Sequence, residues 1–259
     1  MTQVYLSGLG IVLAATTLLW MWSVRLKNAG IVDVFWGSSF ILLACHYFAQ
    51  TPAGNPVRKW LVLMCVFLWG ARLTLHIGWR NHGPGRSGED FRYQAFRQHY
   101  GPERYWWFSL FQVFWLQGAL AWLISAPLLG AQSAAAPISL LDGVALLVWV
   151  VGFVFEAGAD LQLARFRARR RPGQLLTTGF WRYTRHPNYF GDAACWWGFG
   201  LFAVAAGAPL GILGSALMTF LLVRVSGVAM LERTLKKRPG YAAYARRTSA
   251  FLPWFPRRD

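Results

Sequence analysis

Seven long apolar stretches constrain this chain more than any other feature. They lie at roughly 3–24, 31–49, 59–79, 106–130, 138–163, 189–206 and 208–231. Each approaches the ~20 mostly apolar residues that a helix needs to cross a bilayer. The last two are parted only by the Gly207-Ala208-Pro209 turn, so they also read as one long broken helix. Inside hydrocarbon, backbone polar groups must be satisfied within the protein, which favours helices. The pattern predicts an all-α integral membrane bundle of about seven transmembrane helices. The composition agrees: 56% of residues are hydrophobic, 14% are charged, and there are 15 Trp and 19 Phe. That is not the make-up of a soluble globular domain. The first stretch lacks a basic leader and a small-residue cleavage site, so it reads as a membrane helix and not as a signal peptide.

A net charge of +16 invites a nucleic-acid reading, but the placement of the charge opposes it. With the N-terminus outside, every one of the 26 basic residues except Arg58, Lys59, Arg72 and Arg224 falls on the cytoplasmic side. That alternation fits seven spans with a cytoplasmic C-terminus, and six spans would break it. The charge is therefore mostly topological, with anionic membrane lipid as its default partner and no nucleic acid expected. Cys45, Cys65 and Cys195 all sit in apolar stretches without paired spacing, so no disulfide or metal framework is expected.

Polar residues inside the apolar stretches carry the functional signal. Asp33 stands just inside the second stretch, either as a functional carboxyl or as a helix-start residue paired with Arg25 or Lys27. Arg72 and His76 are spaced i, i+4 in the third stretch and share a helix face. Arg72 is too deep to escape to water and calls for a buried acid or a ligand phosphate. Glu156 and Asp160 repeat the i, i+4 spacing near the end of the fifth stretch. Two carboxylates on one face repel unless a proton, a cation or a hydrogen-bonding ligand lies between them. Arg167 follows two turns later, which suits a ligand with hydroxyls and amides inside and phosphates outside. An internal ion pair with Arg182 or Arg185 is the alternative.

The loop Gly83-Pro84-Gly85-Arg86-Ser87-Gly88 formally matches G-x-G-x-x-G, but no βαβ unit surrounds it. Asp90 to Gln98 reads as a short amphipathic stretch on the membrane surface. The end of the chain reads as a helix, a Pro239-Gly240 break and a second amphipathic helix. Lys236 and Arg247 are its best anion contacts, and the Phe251 to Pro256 run anchors at the interface. No repeat or linker divides the chain, so residues 1–259 form one domain.

The densest polar stretch is Gly179 to Asp192, which contains Arg182, Tyr183, Arg185, His186, Asn188 and Asp192. Its phrase Arg185-His186-Pro187-Asn188-Tyr189, followed by Gly191, resembles two groups of membrane enzymes. These are the steroid 5α-reductase family and the isoprenylcysteine or phospholipid methyltransferases. Further motifs resemble the reductases, in their bacterial branch. They are Asp-x-x-Trp-Gly at 33–37, Gly-Glu-Asp-x-Arg-Tyr at 88–93, Glu156-x-x-x-Asp160 followed by Arg167, and Glu232, Tyr241, Tyr244 and Pro253 in the tail.

This resemblance implies a monomeric NADPH-dependent enzyme of the bacterial inner membrane. Such an enzyme reduces the C=C bond of a lipid-soluble, sterol-like α,β-unsaturated ketone. It implies cofactor contacts at Arg72, Arg92, Glu156, Asp160, Arg167, Arg171, Arg182, Tyr183, His186, Asn188, Asp192 and Lys236. Glu156 departs from the family's Asn at that position. The family holds its substrate ketone with a Glu on the second helix and a Tyr on the third. Asp33 takes the place of the first, as a carboxyl kept neutral by an apolar site that donates to the ketone oxygen, and Trp69 stands where the second is expected. The substrate then lies mainly among residues 1–130 and the cofactor among 131–259. The alternative is an S-adenosylmethionine-dependent methyltransferase using His186 to Tyr189 and Glu232.

Overall fold

The computed structural model describes residues 1–83, 89–170 and 173–257. The described residues form helices and turns, with no strand among them. A single isolated bridge joins Thr184 to Ser249. Helices α1 (Thr2–Leu26), α2 (Ile31–Gln50) and α3 (Pro56–His82) come first. A surface helix α4 (Phe91–Tyr100) follows. Then α5 (Pro102–Ser109), a π turn at Leu110–Trp115, α6 (Leu116–Ile124) and α7 (Ala126–Ser133) form one interrupted rod. The second half holds α8 (Leu140–Arg169), α9 (Pro187–Ala205) and α10 (Ile212–Phe220). A second π turn at Leu221–Val225 leads into α11 (Val228–Leu235) and then α12 (Tyr241–Arg247).

Local sequence explains the helix ends. The Asn55 side chain accepts from the amides of Val57 and Arg58, and Pro56 needs no donor at the first position of α3. Asp90 caps α4 in the same way. Ser139 and Asp142 form a reciprocal capping box at the start of α8.

Six helical segments are long and apolar enough to cross a membrane: Thr2–Leu26, Ile31–Gln50, Pro56–His82, Pro102–Ser133, Leu140–Arg169 and Pro209–Leu235. The 189–206 stretch is helical as expected, but α9 is not among the six. At 19 residues it is long enough, but its Asn188, Asp192 and Trp pair lower its hydropathy. It is packed inside the bundle, where Trp196, Phe199 and Phe202 are fully buried.

Glycines set how closely the helices approach. A Cβ on Gly152 would sit 2.6 Å from both the Cys195 amide and the Gly191 carbonyl, and one on Gly191 would strike the Glu156 backbone. Helices α8 and α9 therefore meet backbone to backbone, the small-residue packing typical of membrane helices. Gly37 and Gly70 do the same between α2 and α3. Phe40, Trp69 and Trp196 then lock α2, α3 and α9 edge to face, with ring centroids 4.6–5.6 Å apart.

Arg58 and Lys59 escape the charge asymmetry for a structural reason. Arg58 is fully buried and grips Asp142 with two hydrogen bonds of 2.6 and 2.9 Å. It also donates to the carbonyls of Ala136 and Pro137. Lys59 donates to the Thr51 carbonyl at 2.6 Å and lies over the Phe48 ring.

Candidate functional site

The i, i+4 spacing of Glu156 and Asp160 leaves two carboxylates on one face of α8, and α3 supplies the cation between them. Arg72 Nη1 donates to Asp160 Oδ2 at 2.6 Å, and Nη2 pairs with Glu156. Neither Arg182 nor Arg185 takes that place. Glu156 also accepts from the Trp69 indole at 2.9 Å, and Asp160 accepts from the Asn188 amide at 3.1 Å. His76 Nε2 lies 3.6 Å from Asp160. Of the seven buried side-chain polar atoms without a hydrogen-bond partner among the described residues, two belong to this cluster: Arg72 Nε and Asp192 Oδ1. Buried polar atoms are rarely left unpaired, so these two mark a place for a ligand or water.

Asp160 and Asn188 also border a cavity of about 370 Å³. Its walls come from the ends of α3, α8 and α11, from α12, and from the 174–189 segment. Arg80, Arg167, Arg170, Arg185 and Arg238 line it, together with the rings of Trp79, Trp181, Tyr189, Tyr241 and Tyr244. Asp160, the one lining carboxylate among the described residues, is already paired with Arg72. A concave, aromatic-walled space with this much positive charge suits a multiply anionic ligand.

The 185–189 segment is fixed by the tail. Glu232 Oε1 accepts from Arg185 Nε at 2.9 Å, from the Tyr241 hydroxyl at 2.6 Å and from His186 Nε2 at 3.0 Å. Burial holds the His186 imidazole below its ordinary pKa, against the pull of Glu232. His186 lines the cavity, but its Nε2 is committed to this structural knot.

A second network lies at the start of α2. Asp33 accepts from the Tyr93 hydroxyl at 2.6 Å and from Arg92 Nη2 at 2.7 Å. Its partner is thus Arg92, and neither Arg25 nor Lys27. Arg92 is also bound to Asp90, and Gln117 donates to the Tyr93 oxygen at 3.2 Å. Burial first, then the Asp33 charge, raise the Tyr93 hydroxyl above the ordinary phenol range, so it stays a donor. Tyr189 lines the cavity beside Asn188 and stacks against the His186 ring.

These placements change several expectations. Trp69 is fully buried, and its only donor is spent on Glu156, so it braces an acid and is not part of this cavity's lining. Asp33 and Trp69 belong to different networks. Arg92 belongs to the Asp33 network and does not line the cavity. Arg72 and Glu156 stand behind Asp160. Arg182 is exposed on shallow outer grooves, and the Tyr183 ring packs against Phe255. Lys236 is exposed beyond the end of α11 and is not part of the lining, whereas Arg238 is. Arg171 and most of the 83–88 loop lie outside the described residues. Of the expected contacts, Asp160, Arg167, His186 and Asn188 border the cavity. In the sequence Tyr93 closes the Gly-Glu-Asp-x-Arg-Tyr motif and belongs to an amphipathic stretch, and nothing in its spacing marks a partnership with Asp33.

A family model described as a protein of unknown function (DUF1295) matches residues 19–248. An uncharacterized protein of Schizosaccharomyces pombe, C594.04c, is 27% identical over 280 residues, covering 97% of this chain and 80% of that protein. No solved structure matches.

Proposed function

The chain belongs to the DUF1295 family, whose description assigns no activity, and on that premise we propose that it is an NADPH-dependent membrane reductase. Its reaction is reduction of the C=C bond of a lipid-soluble, sterol-like α,β-unsaturated ketone. The observation that carries this reading is the arginine-lined cavity with Asp160 and Asn188 on its wall. The donor set fits NADPH. Arg80, Arg167, Arg170 and Arg238 supply cations for its phosphates. Asp160 and Asn188 supply acceptor and donor for hydroxyl and amide groups. Bound NADPH supplies the hydride.

The chain's own residues do the rest. Arg72 and Trp69 hold Glu156 and Asp160 in place, so Asp160 meets its ligand in a fixed geometry. Negative charge develops on the carbonyl oxygen as the enone is reduced, and a positioned donor must meet it. We assign that donor to Tyr93, whose single O–H leaves Asp33 and turns to the carbonyl oxygen when the enone binds, while Gln117 keeps its hold on the phenol oxygen. Asp33, held by an arginine, is an acceptor and acts by positioning the phenol. This arrangement supplies the acid–tyrosine pair that the reductase resemblance calls for. The tyrosine comes from the surface helix α4 in place of the third span.

The same reading has seven spans, with α9 as the buried seventh, the N-terminus outside and the cavity open to the cytoplasm. The basic-residue distribution supports it. It further holds that the protein is a monomer of a bacterial inner membrane.

Binding of NADPH, NADP⁺, NADH and S-adenosylmethionine to detergent-purified protein tests the proposal. Saturable NADPH binding that weakens in Asp160→Ala and Arg167→Ala supports it. Loss of reduced-nicotinamide absorbance with a 3-oxo-Δ4 enone then identifies the reaction. Binding of S-adenosylmethionine alone overturns it, and makes the chain a methyltransferase centred on His186, Tyr189 and Glu232.

A further inference from the structure

We propose that the groove between α12 and the strap at 249–257 binds the phosphate of an anionic phospholipid headgroup, and that Arg185 couples this site to the main cavity. The groove holds about 390 Å³ and is bordered by Arg185, Arg246, Arg247, Arg257, Trp254 and Phe255, with no carboxylate in its described lining. Arg246 and Arg257 are exposed. Trp254 and Phe255 beside them are 73% and 77% exposed, and Leu252 is 64% exposed. Cations next to outward-facing aromatic and aliphatic side chains match the headgroup layer, which is anionic at one depth and apolar just below. A free phosphate or a nucleic acid would give these apolar side chains no role.

The groove is preformed. Arg257 N donates to the Arg247 carbonyl at 2.9 Å, and Trp254 N donates to the Tyr183 carbonyl at 2.9 Å. Thr184 Oγ1 donates to the Phe251 carbonyl, and Arg185 N donates to the Ser249 carbonyl. Arg185 is the link. Its Nη1 donates to the carbonyls of Ala245 and Thr248 at 3.0 and 2.6 Å, and its Nε donates to Glu232. The same guanidinium borders the groove and the cavity. An anion in the groove therefore acts on the segment that forms one cavity wall.

The test is native mass spectrometry of the full chain in detergent, offered equal amounts of phosphatidylglycerol and phosphatidylcholine. Wild type is expected to retain phosphatidylglycerol preferentially. Arg246→Ala/Arg257→Ala is expected to lose that preference by roughly tenfold or more, since each surface cation contributes about a fivefold attraction to an anionic leaflet. Hydrogen exchange on the wild type is an independent readout. Phosphatidylglycerol, but not phosphatidylcholine, should slow exchange at the amides of Arg185, Trp254 and Arg257. Equal retention of both lipids, an undiminished preference in the double variant, or unchanged exchange overturns the proposal. Displacement of the lipid by inorganic phosphate overturns it in favour of a free-anion site. NADPH binding, measured on the same samples, reports separately on the cavity.

Discussion

Arg72 Nη1 donates to Asp160 Oδ2 at 2.6 Å, tying the middle of α3 to the face of α8 that borders the cavity. The same guanidinium holds Glu156, so one cation sets two carboxylates that would otherwise repel. Arg72→Ala leaves both acids buried and uncompensated. The expected cost is about 3–5 kcal/mol, the usual penalty for stripping one partner from a buried pair. Thermal unfolding in detergent measures it, and Arg72→Ala/Glu156→Gln/Asp160→Asn should recover much of the loss. A single variant that melts with the wild type would show that the acids do not need this cation.

The reductase resemblance implies cofactor contacts at both Asp160 and Arg182, but only Asp160 borders the cavity. Asp160→Asn should weaken NADPH binding by about tenfold to a hundredfold, the range of one lost charge-assisted hydrogen bond. Arg182→Ala should leave it unchanged. Titration of both variants separates them, and equal effects would move the site to the outer grooves.

Tyr93→Phe keeps the buried ring and removes only the hydroxyl on Asp33. If Tyr93 meets the developing oxyanion, kcat should fall by about a hundredfold or more with NADPH affinity preserved. Steady-state kinetics with an accepted enone decide this. A Phe variant with wild-type kcat would remove Tyr93 from the reaction.

Gly191 lies where α9 touches the α8 backbone at Glu156. Gly191→Ala must push the helices apart, at a cost of about 1–3 kcal/mol or more. The same shift moves Asn188 away from Asp160, so both thermal stability and NADPH affinity should drop. Retention of both would mean that the contact adapts freely.

His186 links pH to stability. Burial holds its folded-state pKa below the ordinary value, with the Arg185 charge adding to that effect and Glu232 opposing it. Below about pH 6.5 the unfolded chain takes up the proton more readily than the native state. Stability contributed by the neutral imidazole is thus complete above that pH and declines as the pH falls through the depressed folded value. Melting temperatures of wild type and His186→Gln across this window should converge at low pH. A constant gap between them would rule His186 out as the titrating group.

The sequence by itself determined the helices, because the length and apolarity of a run are local properties and the bilayer leaves the backbone few alternatives. It also determined that Glu156 and Asp160 share a face and need a partner, since the 3.6-residue period fixes that. Which partner they find was decided by tertiary packing. Arg72 reaches them from 84 and 88 residues away because the glycine contacts of α2 with α3 and of α8 with α9 set the helix positions. The same holds for Asp33, whose carboxylate meets Tyr93 and Arg92 from a surface helix. Among many similar arginines, only the fold separates those that line the cavity from those facing outward. Spacing along one helix cannot encode a distance between two.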